Sequence, residues 1–228
     1  MELLPNGFTL DIPQGCFPLS TDSMVLADFV QPSQRILDLG SGCGTLGILL
    51  CSTDSKCHVT GVELDSAAHN AALDNIHRND LETRMGSICG DLRSMNQIIQ
   101  AGSFRCCVSN PPYFSGGVLS KATPLARRND TCSTQDMFQA AAWALQWGCD
   151  FYLVHKPENL ARICACAREN NLEPKRLRLI RHQVGGSVKL ILLQCRKGGK
   201  PGLIWEEEAL HDIYGNPTDY YKRVYHLT

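Results

Sequence analysis

Short apolar runs and helix-phased stretches alternate along most of this chain. RILDLG (35–40) has the length and apolar content of a buried strand, and TLGILLC after the glycine loop fits a helix. HVTGVEL (58–64) is a second strand, followed by SAAHNAALDNIHRND, a helical pattern with Ser66 as its expected cap. MGSICGDL (85–92) and FRCCVSN (104–110) supply a third and a fourth strand. From about Ser133 to Trp147 a long helix is expected, because Met137, Phe138, Ala141, Ala144 and Leu145 recur at i, i+3/i+4 spacing. CDFYLVH (149–155) is a fifth strand, and PENLARICACARENN reads as a helix with Pro157 near its start. The pattern then changes: LRLIRHQVGGSVKLILLQCRK reads as two strands joined through Gly185, Gly186 and Ser187.

Alternating β and α elements imply an α/β fold, a doubly wound, mostly parallel sheet with right-handed crossovers. The terminal hairpin would add an antiparallel member, as many such sheets have at an edge. No repeat, low-complexity stretch or long linker interrupts residues 1–228, so one domain is the expectation.

Composition narrows the classes. With 43% hydrophobic and 20% charged residues the chain is neither disordered nor a coiled coil. No apolar run approaches the roughly 18 residues of a membrane span, and MELLPNGFTLDIPQG lacks the halves of a signal peptide. A cytoplasmic protein with no membrane partner is expected. The 12 cysteines contain no CxxC pair, so reduced, mostly buried thiols are expected and no metal site. Net charge is −1, yet Pro174 to Lys200 holds eight Lys or Arg and no acid. That run is either a nucleic-acid footprint or a solvated face of the hairpin.

Chemistry concentrates at strand ends. In ILDLGSGCGTLG, Gly40, Gly42 and Gly44, with Ser41 between, permit a tight turn and close backbone approach to a ligand where a helix begins. A glycine loop alone is a weak signal, since turn chemistry also explains it. Glu63, at the end of the second strand, strengthens it, because an acid there can accept from ribose hydroxyls. Asp38 lies just before the loop and would repel a pyrophosphate but attract an ammonium group. A nucleoside with a cationic amino-acid tail fits, which S-adenosylmethionine (AdoMet) is. Asp91 could accept from the adenine amine, or serve as a helix cap. Leu64 and Leu92, beside the two acids, complete the candidate cofactor set.

DLGSGCGTLG, GVELD, GDL and NPPY, in this order and spacing, resemble the class I AdoMet-dependent methyltransferases, in their amino-methylating branch. The resemblance implies a seven-stranded Rossmann-like sheet whose last strand is an antiparallel insertion, with S-adenosyl-L-homocysteine as product. Within NPPY, Asn110 Oδ1 and the Pro111 carbonyl can accept both hydrogens of a conjugated amine and leave its lone pair aimed at the methyl group. Pro111 and Pro112 fix φ, so the carbonyl is placed in advance. Tyr113 offers a face on which a base can stack. The motif serves adenine N6, cytosine N4, guanine N2 and glutamine acceptors alike.

The flanks are more specific. LSTDSMVLADF and KGGKPGL resemble the bacterial tRNA(Val) (adenine-N6)-methyltransferase family over almost the whole chain. That likeness implies a tRNA substrate, an adenosine beside the anticodon, and an N-terminal segment (1–34) that helps enclose AdoMet. Thr21 and Asp22 are then cofactor candidates, with a plain helix cap as the other use. Arg127 and Arg128 are candidate phosphate contacts, though ARRND departs from the pattern of relatives. Arg176, Arg178 and Arg181 alternate with apolar residues, which would put much of their charge on one sheet face. Other acceptors, guanine N2 of rRNA or a protein glutamine, stay open, while an intact NPPY argues against a catalytically inert AdoMet-binding scaffold. Oligomeric state is not determined, with a monomer as the default.

Overall fold

The computed structural model describes residues 1–4, 7–14, 16–31, 33–111 and 132–227. In chain order the elements are β1 (Glu2–Leu3), β2 (Thr9–Leu10), α1 (Thr21–Phe29), β3 (Arg35–Leu39), α2 (Thr45–Thr53), β4 (His58–Glu63), α3 (Ser66–Arg78) and β5 (Met85–Cys89). They continue as α4 (Met95–Ile98), β6 (Phe104–Ser109), α5 (Thr134–Ala144), β7 (Leu145–His155) and α6 (Leu160–Glu169). The C-terminal part is β8 (Leu172–Gln183), β9 (Val188–Lys197), β10 (Ile204–His211) and α7 (Asp219–Val224).

Eight strands form the main sheet in the order β10-β8-β9-β7-β6-β3-β4-β5. β3 to β7 run parallel, as the alternation implies, and β9 alone runs against its neighbours β7 and β8. The sequence reading differs here in two respects. The antiparallel strand is inserted between β7 and β8, as the resemblance implies and not at an edge as the hairpin alone suggests, and an eighth strand, β10, lies outside β8 and parallel to it. Burial explains both. Leu190 to Cys195 is a continuous buried run, which suits an interior strand covered on both faces. β10 reads IWEEEALH, and its three glutamates suit an edge that must resist further pairing.

Period-two alternation divides the core. Ile36, Val59, Cys106, Val108, Tyr152 and Val154 pack on one face with α1, α2 and α7 residues such as Phe29, Ile48 and Val224. Leu37, Leu39, Val62, Cys107, Phe151 and Leu153 pack on the other with α5 and α6 residues such as Phe138 and Ile163. The helix expected to reach Trp147 ends at Ala144, and Leu145 already pairs with Phe104 in the sheet. Gly148, at φ 80°, cannot continue a helix. α3 is capped by Asp65, whose Oδ1 accepts from Ala67 N at 2.8 Å, and Ser66 is the first helical residue. All 12 cysteines are unpaired thiols, seven of them buried.

Candidate active site

Parallel pairing brings four chain segments to one rim. Asp38 is in register with Gly61 of β4 and Val108 of β6, and Glu63 with Cys89 of β5. Asn110, Gly40, Glu63 and Asp91 therefore follow one another across the carboxyl ends of β6, β3, β4 and β5, where open α/β sheets hold ligands. Ser109 Oγ donates to Leu39 O at 2.8 Å and ties the first two strand ends together.

The glycine loop turns sharply over this rim. Gly40 and Gly42 have φ of 73° and 55°, and a Cβ at either would meet no atom within 4 Å. Left-handed backbone requires glycine at both, and the space beside them is open to a ligand. Gly44, at φ 86°, precedes the first turn of α2. Glu63 holds the loop in place: Oε2 accepts from Gly42 N at 2.8 Å and Oε1 from Asp65 N at 2.9 Å. A carboxylate has about four acceptor directions, so Glu63 retains capacity for ribose hydroxyls.

Asp38 is 1% exposed, and its Oδ2 is buried without a hydrogen-bond partner. Burial first, and the neighbouring Glu63 charge second, push its carboxyl up to about 7. Ser41 Oγ is likewise buried and unpartnered, lying over Gly61. Two orphaned polar atoms beneath an open glycine cradle, with a second acid alongside, fit a polar, positively charged nucleoside such as AdoMet.

The other cofactor candidates are placed differently. Asp91 caps a 3₁₀ turn, accepting from Arg93 N at 2.9 Å, and Arg93 Nε and Nη2 hold its Oδ2 at 2.9 and 2.6 Å. The Arg93 hydrogen bonds keep its carboxyl below the usual range. Asp91 thus caps this turn and pairs with Arg93, and its side chain stays partly exposed. Leu64 is 42% exposed beside Glu63, and Leu92 packs partly into the α5 face of the core. Thr21 and Asp22 open α1, where Thr21 Oγ1 hydrogen-bonds Tyr225 Oη at 2.8 Å.

Asn110 and Pro111 leave the end of β6, both half-buried. Asn110 Nδ2 donates to Ser23 Oγ at 3.0 Å. Pro112, Tyr113, Arg127 and Arg128 lie outside the described residues. Ser23 was not legible as a site residue, because 87 positions separate it from Asn110. Asn75 had a visible signal, a polar residue on the buried stripe Ala68, Ala71, Ala72, Ile76. Its Nδ2 donates to Asp11 O and Cys43 O at 2.8 and 3.0 Å, and its Oδ1 accepts from Asp11 N at 2.8 Å. It thereby straps the N-terminal segment against the glycine loop.

The basic run is largely ion-paired. Arg176 Nε reaches Glu206 at 2.9 Å, Arg178 spans Glu206 and Asp28 at 2.7 and 3.0 Å, and Arg181 pairs with Glu207. Arg196 pairs with Asp150, while Lys175 and Lys197 donate to backbone carbonyls. Only Lys189 and Lys200 of the eight are exposed without such a contact among the described residues. The acids paired with Arg176, Arg178 and Arg181 sit on β10 and α1, distant in sequence, so much of the charge of this run is compensated within the chain.

Among the described residues no cluster of three or more His, Cys, Asp or Glu could hold a metal ion, and no helix is long and apolar enough to cross a membrane. Solved structures share the fold. A protein from Agrobacterium tumefaciens described as a predicted O-methyltransferase superposes with a TM-score of 0.73 at 20% identity, over 90% of this chain and 96% of that one. Geranyl diphosphate C-methyltransferase from Streptomyces coelicolor, in complex with S-adenosyl-L-homocysteine, superposes at 0.54 and 11% identity, over 76% and 77%. Among curated proteins, the tRNA1(Val) (adenine(37)-N6)-methyltransferase of Tolumonas auensis is 29% identical over 88% of this chain and 84% of its own length. Its namesake in Bacteroides fragilis is 27% identical over 82% and 80%. Residues 19–162, which hold the glycine loop, Glu63, Asp91 and Asn110, match the family model of the methyltransferase small domain, and the chain belongs to that family of enzymes.

Proposed function

We propose that this methyltransferase transfers a methyl group from AdoMet to the exocyclic N6 of an adenosine in tRNA, the one beside the anticodon of a valine tRNA. The observation that carries the reading is Asn110 at the end of β6, next to the glycine loop of β3, with its amide nitrogen already engaged by Ser23. Its oxygen is then the end left for an incoming N–H. Relatives named for adenine-N6 methylation of tRNA, at 27–29% identity over most of this chain, supply the acceptor.

AdoMet, when bound, supplies an electrophilic methyl group. Glu63 would take the ribose hydroxyls, while Asp38 and the cradle at Gly40, Ser41 and Gly42 would take the cationic amino-acid portion. Asn110 Oδ1 and Pro111 O accept the two amine hydrogens and hold the nitrogen lone pair out of conjugation with the ring. Both acceptors are set before substrate arrives, so little reorganisation remains for the reaction. No general base is needed in the first step, because the proton can leave after transfer. Pro112 would stiffen this turn, Tyr113 would stack on the base, and Arg127 and Arg128 would contact phosphates. An anticodon-loop adenosine is single-stranded, which lowers the cost of turning it into the site. On this reading residues 1–228 act as one catalytic unit in the cytoplasm.

The test is transfer from labelled AdoMet to bulk tRNA lacking the modification, followed by nucleoside mass analysis. N6-methyladenosine is expected. Label in N2-methylguanosine or in protein would overturn the acceptor assignment.

A further inference from the structure

A carboxamide has a donor end and an acceptor end that exchange by a half-turn about its last torsion. Only the acceptor end of Asn110 can receive an N–H from an amine; the reversed amide would set its own hydrogens against those of the substrate. What selects the orientation therefore matters to the rate. Asn110 is half-buried, and its Nδ2 donates to Ser23 Oγ at 3.0 Å, a hydroxyl whose residue is 5% exposed.

Ser23 is itself held by the element that carries it. It is the third residue of α1, whose first residue, Thr21, hydrogen-bonds Tyr225 Oη at 2.8 Å. Further along α1, Asp28 receives Arg178 at 3.0 Å and Arg223 at 2.9 Å. These contacts come from β8, from α7 and from Tyr225 just beyond it, all outside residues 19–162. The C-terminal appendage thus braces α1 against the rim where Asn110 emerges.

We propose that Ser23 is a positioning residue: by accepting from Nδ2 it turns Asn110 Oδ1 toward the amine, and the brace of α7 and β8 on α1 keeps it in register. This rests on the amine-methylation reading above. Ser23 touches neither reacting atom; it acts through Asn110.

The experiment compares wild type, Ser23→Ala and Ser23→Thr in the full chain by AdoMet calorimetry, thermal melting, steady-state transfer to tRNA and NMR of ¹⁵N-asparagine side chains. The Asn110 amide signals are identified by their absence in Asn110→Ala. Ser23→Ala should keep AdoMet affinity and the KM for tRNA within about twofold while kcat falls about tenfold, the scale of one neutral hydrogen bond. The Asn110 amide hydrogens should also lose their protection from exchange. Ser23→Thr, which keeps the hydroxyl, should restore both. Wild-type kcat in Ser23→Ala, an unaltered Asn110 amide signal, or a Thr variant that behaves like Ala would each overturn the proposal. If the wild type methylated no tRNA, the acceptor reading would fail, while the amide signals would still decide the role of Ser23.

Discussion

Replacing Asp38 by Asn tests the electrostatics of the cofactor rim most directly. Asp38 is fully enclosed, its Oδ2 has no partner, and its carboxyl is held at about 7 against an ordinary value of 3.8. A carboxyl raised by folding favours the native state fully below pH 3.8, and that advantage is lost as pH rises through 7. A gap of about three pH units, at about 1.36 kcal/mol each, amounts to about 4 kcal/mol once the group ionises. Asn cannot ionise. The stability of Asp38→Asn relative to wild type should therefore grow by about 3 kcal/mol between pH 5 and pH 8. For a chain of this size that is on the order of 6–12 °C in relative Tm. Any fixed cost of burying the amide shifts both ends of the profile equally, so the slope is diagnostic. Melting curves of both proteins across this range, without and with AdoMet, make the measurement. A bound cation should lower the Asp38 pKa, flatten the wild-type profile and leave the variant with weakened binding. Parallel pH profiles of the two ligand-free proteins would refute the reasoning.

The other substitutions separate binding, chemistry and scaffold. Glu63→Ala should abolish measurable AdoMet binding by calorimetry, whereas Glu63→Gln, which can still accept from Gly42 N, should weaken it about tenfold; unchanged affinity in the Ala variant would remove Glu63 from the site. Asn110→Ala should bind AdoMet within about twofold of wild type yet lose roughly a hundredfold or more in transfer, and an active variant would exclude the acceptor-pair mechanism. Arg178→Ala should cost ~2–4 kcal/mol in urea unfolding, because it strips a buried partner from Asp28 and Glu206. The salt dependence of tRNA binding by the folded fraction should stay as it was; a flatter slope would restore Arg178 as a phosphate contact.

Local pattern determined much of this protein. Buried runs bounded by glycine and by acidic strand ends define β3 to β6, and parallel pairing then requires Asp38, Glu63, Asp91 and Asn110 to meet at one rim. Period two assigned the faces, since successive side chains of a strand must point apart. Asn75 was detectable in the same way, as a polar break in an apolar stripe. Tertiary structure decided whatever depended on partners remote in sequence. LILLQC reads as a strand from its composition, but its place between β7 and β8 follows only from the helices that cover both faces. Arginines 176, 178 and 181 read as an uncompensated basic stripe in the sequence, and only the fold brings Glu206, Glu207 and Asp28 beside them. Asp91, an acid at a strand end like the others, also pairs with Arg93, a contact the sequence does not announce. Ser23 looks like an ordinary first-turn serine, and only the packing of α1 on the rim brings its hydroxyl to Asn110. Short-range order follows from periodicity and backbone sterics. Which charges remain open, and which way an amide faces, depends on contacts that exist only once the chain has closed on itself.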